Sequence, residues 1–402
     1  MSQQVESGKS AGWRAIPSGI WALGLVSLFM DVSSEMIHAL LPVYLVTVLG
    51  TSALTVGFIE GIAEATAAIT KIFSGTLSDW LGKRKVLAAI GYGLAAFTKP
   101  IFPLASTVHW LVAARFIDRL GKGIRGAPRD ALVADISPPH LRGASYGLRQ
   151  SLDTVGAFLG PLLAIVFMWA TVDNFRAVFW FAVLPAFISF VLILIAVHDP
   201  VPREDERPAA IRFSTALPGR LGAGYWWVVA IAIFFTLARF SEAFLILRAQ
   251  SIGLSVMLVP AVMVVMNIAY ALSAYPVGAL SDHVSRISLL ALGLVLLLIG
   301  DVFLAFAPSI IWLAAGVLLW GLHMGFTQGL LSALVADRAP AELRGTAFGL
   351  FNLVTGLAML VASIVAGALW DVVGPQGTFL AGAVFTLVSL AGLLPMRRRA
   401  GA

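Results

Sequence analysis

Long apolar stretches alternate with short polar connections along almost the whole chain. A helix that crosses the hydrocarbon core of a bilayer needs about 20 mainly apolar residues. Twelve stretches reach that length, and we number them segments 1 to 12 in chain order. They cover residues 18–48, 55–78, 86–105, 110–132, 143–170, 176–197, 223–248, 255–280, 287–307, 310–334, 344–369 and 377–395. The pattern predicts an all-α membrane protein with twelve transmembrane helices.

One connection is much longer than the others and divides the segments six and six. It covers residues 198–222 and contains four prolines and four arginines, which is typical of a linker. The predicted organisation is a polar N-terminal tail at 1–17, a six-helix bundle at 18–197, the linker at 198–222, a second bundle at 223–395 and a basic tail at 396–402.

The two halves repeat each other in sequence. Residues 131–135 read Ala-Leu-Val-Ala-Asp and recur as residues 333–337, 202 positions later. The loop sequence of residues 75–79 returns in similar form at 278–282. Repeats of this kind build many secondary transporters, with the site at the interface of the halves. We therefore expect two pseudo-symmetric six-helix bundles.

Basic residues gather in the connections at one end of the predicted helices. This set comprises Arg14, Lys83, Arg84, Lys85, Arg142, the linker arginines, Arg286, Arg344 and Arg397 to Arg399. Basic connections mark the cytoplasmic side of a membrane protein. The expected location is the cell (inner) membrane, with both termini and the linker in the cytoplasm.

Composition and missing motifs narrow the function further. The chain is 59% hydrophobic and only 12% charged, against about 25% charged in soluble domains. The net charge of +6 lies in membrane-flanking connections, so the expected partner is the lipid bilayer and not nucleic acid. There is no cysteine for a disulfide or thiolate metal site, and no phosphate-binding G-x-x-x-x-G-K-[ST] motif for an ATP motor. No cofactor is expected, and a membrane-embedded enzyme or sensor is only a remote alternative.

The loop after segment 2 resembles a known signature. Its matching residues are Gly75, Asp79, Gly82, Lys83 and Arg84. The copy in the second half keeps Gly278, Asp282 and Arg286. Trp80 stands where a basic residue is usual, and Ser285 replaces the second glycine of the copy. The pattern resembles the loop signature of the major facilitator superfamily, and the resemblance covers nearly the whole chain.

Two further elements resemble the same superfamily more loosely. Arg119 to Gly123 in segment 4 is similar to its R-x-x-Q-G element. Gly156 to Pro161 in segment 5 resembles the G-x-x-x-G-P element of proton-driven exporters, without the closing glycine pair. The chain thus loosely resembles the drug/proton antiporter branch.

The resemblance implies a fold and a way of working. Segments 1, 4, 7 and 10 would line a central cavity, segments 2, 5, 8 and 11 would flank it, and the rest would lie outside. The two halves would rock about a midplane site by alternating access. The loop residues would form a conformational latch; the alternative is that their basic members only fix topology at the anionic lipid surface.

Charged residues inside the segments are the candidate working parts, because a charge at mid-bilayer is costly unless it faces a cavity or a partner. Asp31, Glu35 and His38 share one face of segment 1. Glu60 and Glu64 share a face of segment 2, which returns through the same depth, so Glu60 should lie near His38. Buried carboxylates hold a proton more readily than exposed ones, and histidine titrates near neutral pH. This cluster predicts proton coupling.

Segments 4 and 5 offer a structural alternative for the same acids. They carry the cavity candidates Arg115, Asp118, Arg119, Arg149 and Asp153. The acids of segments 1 and 2 could simply neutralise the bases of segment 4 by ion pairing. The candidates in the second half are Arg239 and Glu242, spaced as a local ion pair, and His323.

Two uses of this charged cavity remain open at the level of sequence. The first is proton-coupled export of a small organic solute by a monomeric transporter, the basic residues favouring a solute with an anionic group. The second is transport of a divalent metal ion by Asp31, Glu35 and His38, whose oxygen and imidazole ligands suit such ions. The nearby arginines, which repel cations, count against the metal.

Overall fold

A computed structural model describes residues 16–81, 83–199, 221–281, 283–340 and 343–400. These residues are helical throughout, apart from short connections, and form no strand. The membrane helices are α1 (Ser18–His38), α2 (Ala53–Leu81), α3 (Arg84–Thr98), α4 (Val108–Ile136), α5 (Arg142–Ala170), α6 (Phe175–Ala196), α7 (Ala223–Ala238), α8 (Ala261–Leu280), α9 (Arg286–Phe306), α10 (Ile310–Arg338), α11 (Arg344–Val372) and α12 (Pro375–Ala400). Each predicted segment corresponds to one of them, which confirms the all-α membrane fold.

Eleven of the described helical segments are long and apolar enough to cross a bilayer. The exception is α4, which has 29 residues but alternates small residues with charged ones. It is shielded by packing against α2 and α3. Its polarity is therefore directed toward protein neighbours and the interior of the bundle.

Two helices that the hydropathy pattern predicts as continuous are interrupted. α1 stops at His38 and resumes as Leu41–Val43 and a wide turn at Tyr44–Val48. α7 stops at Ala238 and resumes as Ala243–Ser251. In α1 the break precedes Pro42, whose ring removes a backbone donor. The two breaks fall at nearly equivalent positions of the repeat.

The packing pattern of the first half recurs in the second. In the first half α1 packs on α5 and α6, and α4 packs on α2 and α3. In the second half α7 packs on α11 and α12, and α10 packs on α8 and α9. These pairs correspond helix by helix, so the sequence repeat is a structural repeat. The predicted tail and linker lie mostly outside the described residues, and the domain boundaries stay predictions.

The halves meet mainly along two helix pairs, α2 with α11 and α5 with α8, and the short helices Leu41–Val43 and Ala243–Ser251 also pack against each other. The backbones of the first pair come close at Gly57, where an added Cβ would lie 2.1 Å from the carbonyl oxygen of Ser363. In the second pair the side-chain amide of Asn267 donates to the carbonyl of Ala157 at 3.1 Å. A glycine is required at position 57 because any side chain would separate the halves there.

We name the end of the bundle that carries Lys83, Arg142 and Arg286 the basic end, and the other the opposite end. The halves are joined at the opposite end by Asp371, the penultimate residue of α11. Its two carboxylate oxygens accept the backbone N–H groups of Ala53 at 3.0 Å and Leu54 at 2.9 Å, at the start of α2. A carboxylate at a helix N-terminus is stabilised by the free N–H groups and the helix dipole.

Candidate functional site

A cavity of about 620 Å³ lies between the halves. It is lined by α1, α2, α4 and α5 from the first half and by α7, α8, α10 and α11 from the second. This is the arrangement that the family resemblance implies. The lining extends from Asp31 and Glu35, in the C-terminal half of α1, toward the basic end at Lys71 and Arg129. Because Asp371 joins the halves at the opposite end, the cavity opens toward the basic end.

A smaller space of about 190 Å³ continues the cavity past Glu35. It reaches His38, Glu60 and Arg119 in the first half, and the interruption of α7 in the second. Lys122 lines both spaces. The charged residues of α1, α2 and α4 therefore surround one connected volume.

A chain of charged contacts starts on α1. The Nδ1 atom of His38 lies 3.4 Å from Glu35 Oε2, and its Nε2 atom lies 3.4 Å from Glu60 Oε2. The same oxygen of Glu60 accepts Arg115 Nη2 at 2.8 Å. His38 thus bridges a carboxylate on α1 and one on α2, as the helix rise predicts. Glu60 and Arg115 are almost completely buried, so their charges depend on each other.

Asp31, on the same face of α1, is arranged differently. It lines the cavity, and none of the described bases lies within 4.0 Å of its carboxylate. The other acids lining the two spaces, within the described ranges, each have a basic or histidine partner inside that distance. Lys122 and Arg125 are the corresponding cations, since neither has a described acid within 4.0 Å. Asp31, Lys122 and Arg125 are therefore the cavity charges that have no ion partner among the described residues.

The remaining charges of α4 are paired with its neighbours. Arg119 Nη1 lies 3.3 Å from Glu64 Oε1 on α2. Asp118 faces the other way and accepts Nζ of Lys99, the residue directly after α3, at 2.8 Å. Lys99 also donates to Ser34 Oγ at 3.0 Å. The structural alternative raised by the sequence therefore accounts for Arg119, Glu64 and Asp118.

One buried charged residue lies directly after the outer helix α3 and another lies within the outer helix α9, and the repeat relates the two. Lys99, after α3, is paired with Asp118 on α4. At the equivalent place Asp301 on α9 accepts the indole N–H of Trp320 on α10 at 3.0 Å. The first half thus has an ion pair, Lys99 with Asp118, where the second half has a hydrogen bond from the neutral indole of Trp320 to Asp301.

On α5, Arg149 and Asp153 form an ion pair of 2.5 Å. Arg129 of α4 approaches the same carboxylate at 3.9 Å and donates to Ser27 Oγ at 3.1 Å. These contacts connect α1, α4 and α5 near the basic end. Asp153 and Arg129 line the cavity, whereas Arg149 lies behind them.

The Gly156 to Pro161 element brings α5 directly onto the polar face of α1. An added Cβ at Gly156 would lie 2.7 Å from the carbonyl oxygen of Leu28 and 3.0 Å from Asp31 Cβ. At Gly160 it would lie 2.6 Å from Glu35 Cβ. Such distances are too short for any side chain, so the two glycines fix the turn of α1 that carries Asp31 and Glu35.

The interruption of α7 places Arg239 and Glu242 against the smaller space. Their charged groups are 3.7 Å apart, as their spacing predicts. The side-chain amide of Gln328, turned so that its oxygen accepts, bonds Arg239 Nη2 at 2.9 Å and donates to Tyr270 Oη at 3.2 Å. Arg239 is therefore held by groups of its own half.

Four of the predicted cavity residues do not line either space. They are Arg115, Asp118, Arg149 and His323. Arg115 and Asp118 are turned into ion pairs between helices, and Arg149 pairs with Asp153 on its own helix. His323 is completely buried against the rings of Phe235 and Trp320. Sequence position identifies the helix of each residue but not the direction in which its side chain points.

The ligands of the alternative metal site, Asp31, Glu35 and His38, do not form a metal-binding group among the described residues. Among the described residues, no group of three or more His, Asp or Glu side chains is arranged to hold a metal ion. His38 contacts Glu35, but it does not lie within 4.0 Å of the Asp31 carboxylate. The third acidic neighbour, Glu60, is taken by Arg115 at 2.8 Å, and that guanidinium would repel a cation.

The loop-motif residues brace each half internally. Arg84 Nη1 bonds Asp135 at the end of α4, and Arg286 Nη1 bonds Asp337 at the end of α10 at 2.7 Å. An added Cβ at Gly75 would lie 3.3 Å from Ala127, as expected for a close helix approach. An added Cβ at Gly278 would meet none of the described atoms within 4 Å. Lys83 is exposed at the start of α3. Gly82, Asp282 and the side chain of Asp79 lie outside the described part of the structure, and the latch stays a prediction.

Several residues that form contacts or line the cavity in the structure were not predicted from the sequence. Sequence reasoning identified Asp135 and Asp337 only as parts of a repeat, although an acid conserved within both copies signals a partner. It also assigned no role to Asp371 and passed over Lys122 as a candidate. What distinguishes these residues is whether each has a hydrogen-bond or ion-pair partner. Only the three-dimensional packing shows this.

Residues 23–362 and 227–401 of the chain match the family model described as Major Facilitator Superfamily. The chain is 34% identical over 394 residues to an uncharacterized MFS-type transporter of Methanocaldococcus jannaschii, covering 95% of each protein. It is 26% identical over 363 residues to the quinolone resistance protein NorA of Staphylococcus aureus, covering 87% of this chain and 90% of that one. A mutant of the nucleoside transporter NupG has a similar structure, with a TM-score of 0.80 at 14% identity over 94% of this chain and 99% of that chain.

Proposed function

The chain belongs to the major facilitator superfamily and is a multi-pass membrane transporter, and from this premise we propose that it exchanges protons for a small organic solute that carries an acidic group. The exchange uses alternating access, which is characteristic of the fold. The cavity between the halves is the solute site, and Asp31 accepts the transported proton.

The observation that carries the proposal is the isolation of Asp31. An ion-paired carboxylate resists protonation because its partner stabilises the charged form. A carboxylate that lines a membrane cavity without a partner loses little by taking a proton. Within the described residues Asp31 is the one cavity-lining acid of this kind. Glu35 lies on the next turn, with its carboxylate 3.4 Å from His38.

The acidic group of the solute is drawn to Lys122. The arginines that the sequence offered for this role, among them Arg115 and Arg119, are occupied by Glu60 and Glu64. Lys122 has no such partner and is reachable from both spaces. An ammonium facing an enclosed space binds a carboxylate or sulfonate more strongly than an exposed one does.

We propose export as the direction, from a cytoplasmic basic end across the inner membrane, by a monomer. A cavity open at the basic end loads from the side on which basic connections lie. Similarity to a protein named for quinolone resistance, and the Gly156 to Pro161 element, support this direction over import.

The test is proton movement in proteoliposomes that contain a trapped pH dye. Naphthalenesulfonate serves as the probe, because it stays ionised and carries no proton across the bilayer by itself. We expect a change in lumenal pH only when both the protein and the probe are present. Asp31→Asn should abolish this change and leave the protein folded, whereas the exposed Asp173→Asn should not. Equal proton movement with Asp31→Asn and the unmodified chain would refute the role of Asp31.

The same vesicles test the metal alternative. A trapped chelating dye should show no entry of Mn²⁺, since Glu60 is committed to Arg115 and no metal-binding group is formed in the described part of the chain. Entry of Mn²⁺ without any proton response to naphthalenesulfonate would replace the proposed function by the metal one.

A further inference from the structure

The two walls of the cavity differ sharply in chemistry. Fourteen described residues of the first half line the larger space, and eight of them are acidic or basic. Twelve residues of the second half line it, and only Arg239 is charged. We call these sets the first-half wall and the second-half wall. A solute that spans the cavity meets charge on one side and almost none on the other.

Bulky apolar contacts come from the second-half wall alone. It supplies the rings of Phe235, Tyr270 and Phe351, together with Leu331 and Met359. The apolar members of the first-half wall are all small, namely Ala67, Ala68, Gly126 and Ala157. Aromatic rings contribute stacking geometry and dispersion in addition to the area they bury. The wall therefore suits a flat ring system.

The second-half wall also carries neutral hydrogen-bonding groups between its rings. The side-chain amides of Asn267, Gln328 and Asn352 line the cavity together with the hydroxyls of Thr236 and Thr355. Amides of this kind orient a polar substituent without favouring either sign of charge.

The available charge of the first-half wall is cationic. Lys122 has no described acid within 4.0 Å. Beside it, the guanidinium of Arg125 lies 4.9 Å from the ring centre of Tyr92 and is also without an acid at that distance. Asp31 is the single unpaired acid of the wall, and the proposed function assigns it to the proton. An anionic solute is therefore favoured over a cationic one.

We propose that the solute class is amphiphilic organic anions with a planar aromatic body. The acidic group lies against Lys122, and the ring system lies between Phe235, Tyr270 and Phe351. A space of about 620 Å³ is the size of sites that hold drug-sized molecules. The inference rests on the proposed function, because it assigns the transported solute to this cavity.

Binding to the purified full-length protein tests the class without measuring transport. Titration calorimetry compares naphthalenesulfonate, which has both features, with cyclohexanesulfonate, which lacks the aromatic ring, and with naphthyltrimethylammonium, which reverses the charge. We expect naphthalenesulfonate to bind most tightly and the cation not at all. Lys122→Gln should weaken naphthalenesulfonate binding about tenfold or more, as expected for loss of a charged hydrogen-bond partner. Phe351→Leu should weaken it about threefold and leave cyclohexanesulfonate unchanged.

Matched controls are available in the same chain. Arg142→Gln removes an exposed cation at the basic end, and Phe306→Leu removes an exposed ring on α9. Both should bind naphthalenesulfonate as the unmodified protein does. Preference for the ammonium, equal affinity for the two sulfonates, binding unaffected by Lys122→Gln, or no binding of any probe would overturn the inference. Failure of the proposed function looks different: the sulfonate binds as expected but moves no protons in vesicles.

Discussion

The contact between Asp371 and the start of α2 should set how often the opposite end of the transporter opens. The two partners belong to different halves and lie 3.0 and 2.9 Å apart. Opening that end must separate them, whereas opening the basic end need not. Substitution of Asp371 should therefore raise the fraction of molecules that are open at the opposite end.

The size of the effect follows from the two bonds. A side-chain cap at a helix N-terminus contributes about 1 kcal/mol, and a negative charge there adds about 0.3–1 kcal/mol. Asp371→Asn keeps one accepting oxygen and loses the charge, so it should cost the closed state about 1 kcal/mol. This corresponds to about a fivefold rise in the open fraction, and Asp371→Ala, which removes both bonds, should give up to about thirtyfold.

The absence of cysteine in the chain makes the measurement direct. Ser363 is completely buried where α2 meets α11, and Ser363→Cys places a single thiol there. A membrane-impermeant maleimide added from the opposite side should label this thiol at a rate proportional to the open fraction. Labelling should be about five times faster when Asp371→Asn is added.

Asp173→Asn is the matched control, because Asp173 is an exposed acid at the same end and the described structure gives its carboxylate no contact with the other half. Labelling in that variant should stay at the rate of Ser363→Cys alone. The reasoning is refuted if Asp371→Ala labels no faster than Asp173→Asn, since the cap would then not hold the halves together.

Three other substitutions test the packing of the site. Gly160→Ala should lower the free energy of unfolding by about 1–3 kcal/mol, because the added methyl group forces α5 away from α1. Gly147→Ala is the control and should not lower it, since an added Cβ there meets none of the described atoms within 4 Å. Equal melting temperatures of the two variants would contradict the contact at Gly160. Lys99→Met should lower the free energy of unfolding by about 3–5 kcal/mol in a denaturant titration, because it leaves the buried Asp118 without its partner. Adding Asp118→Leu should recover much of that loss. If the two losses add instead, the ion pair is contradicted. Arg286→Gln breaks an exposed ion pair and should change stability by no more than about 1 kcal/mol; a larger loss would show that the pair does more than brace α9 on α10.

The fold could be predicted from the sequence because the patterns that indicate it extend over many residues and can be recognised without knowing the packing. Twelve apolar stretches, a basic side and a repeated Ala-Leu-Val-Ala-Asp sequence each depend on composition and spacing alone. The interruptions of α1 and α7 could not be predicted in this way, since hydropathy records the polarity of side chains and not the course of the backbone. Only Pro42 gave a local sign of the first break.

Part of the candidate site could be predicted from the sequence. Helix periodicity placed Asp31, Glu35 and His38 on one face, and helix rise brought Glu60 to the depth of His38. Periodicity cannot tell which acid is paired, because partner choice depends on the rotation and tilt of neighbouring helices. Asp31 and Glu35 look alike in sequence, yet among the described residues only Glu35 has a basic or histidine partner within 4.0 Å.

The polarity of α4 has a consequence for biosynthesis. This helix fails the apolar criterion that eleven others meet, so it is a poor substrate for insertion into the bilayer on its own. Its predecessor α3 is directly followed by Lys99, whose ammonium bonds Asp118 of α4 at 2.8 Å. The two helices are consecutive, and the pair can neutralise both charges as soon as the hairpin forms. We therefore expect α3 and α4 to leave the translocation channel together, with chain elongation past α4 required before either is committed to lipid.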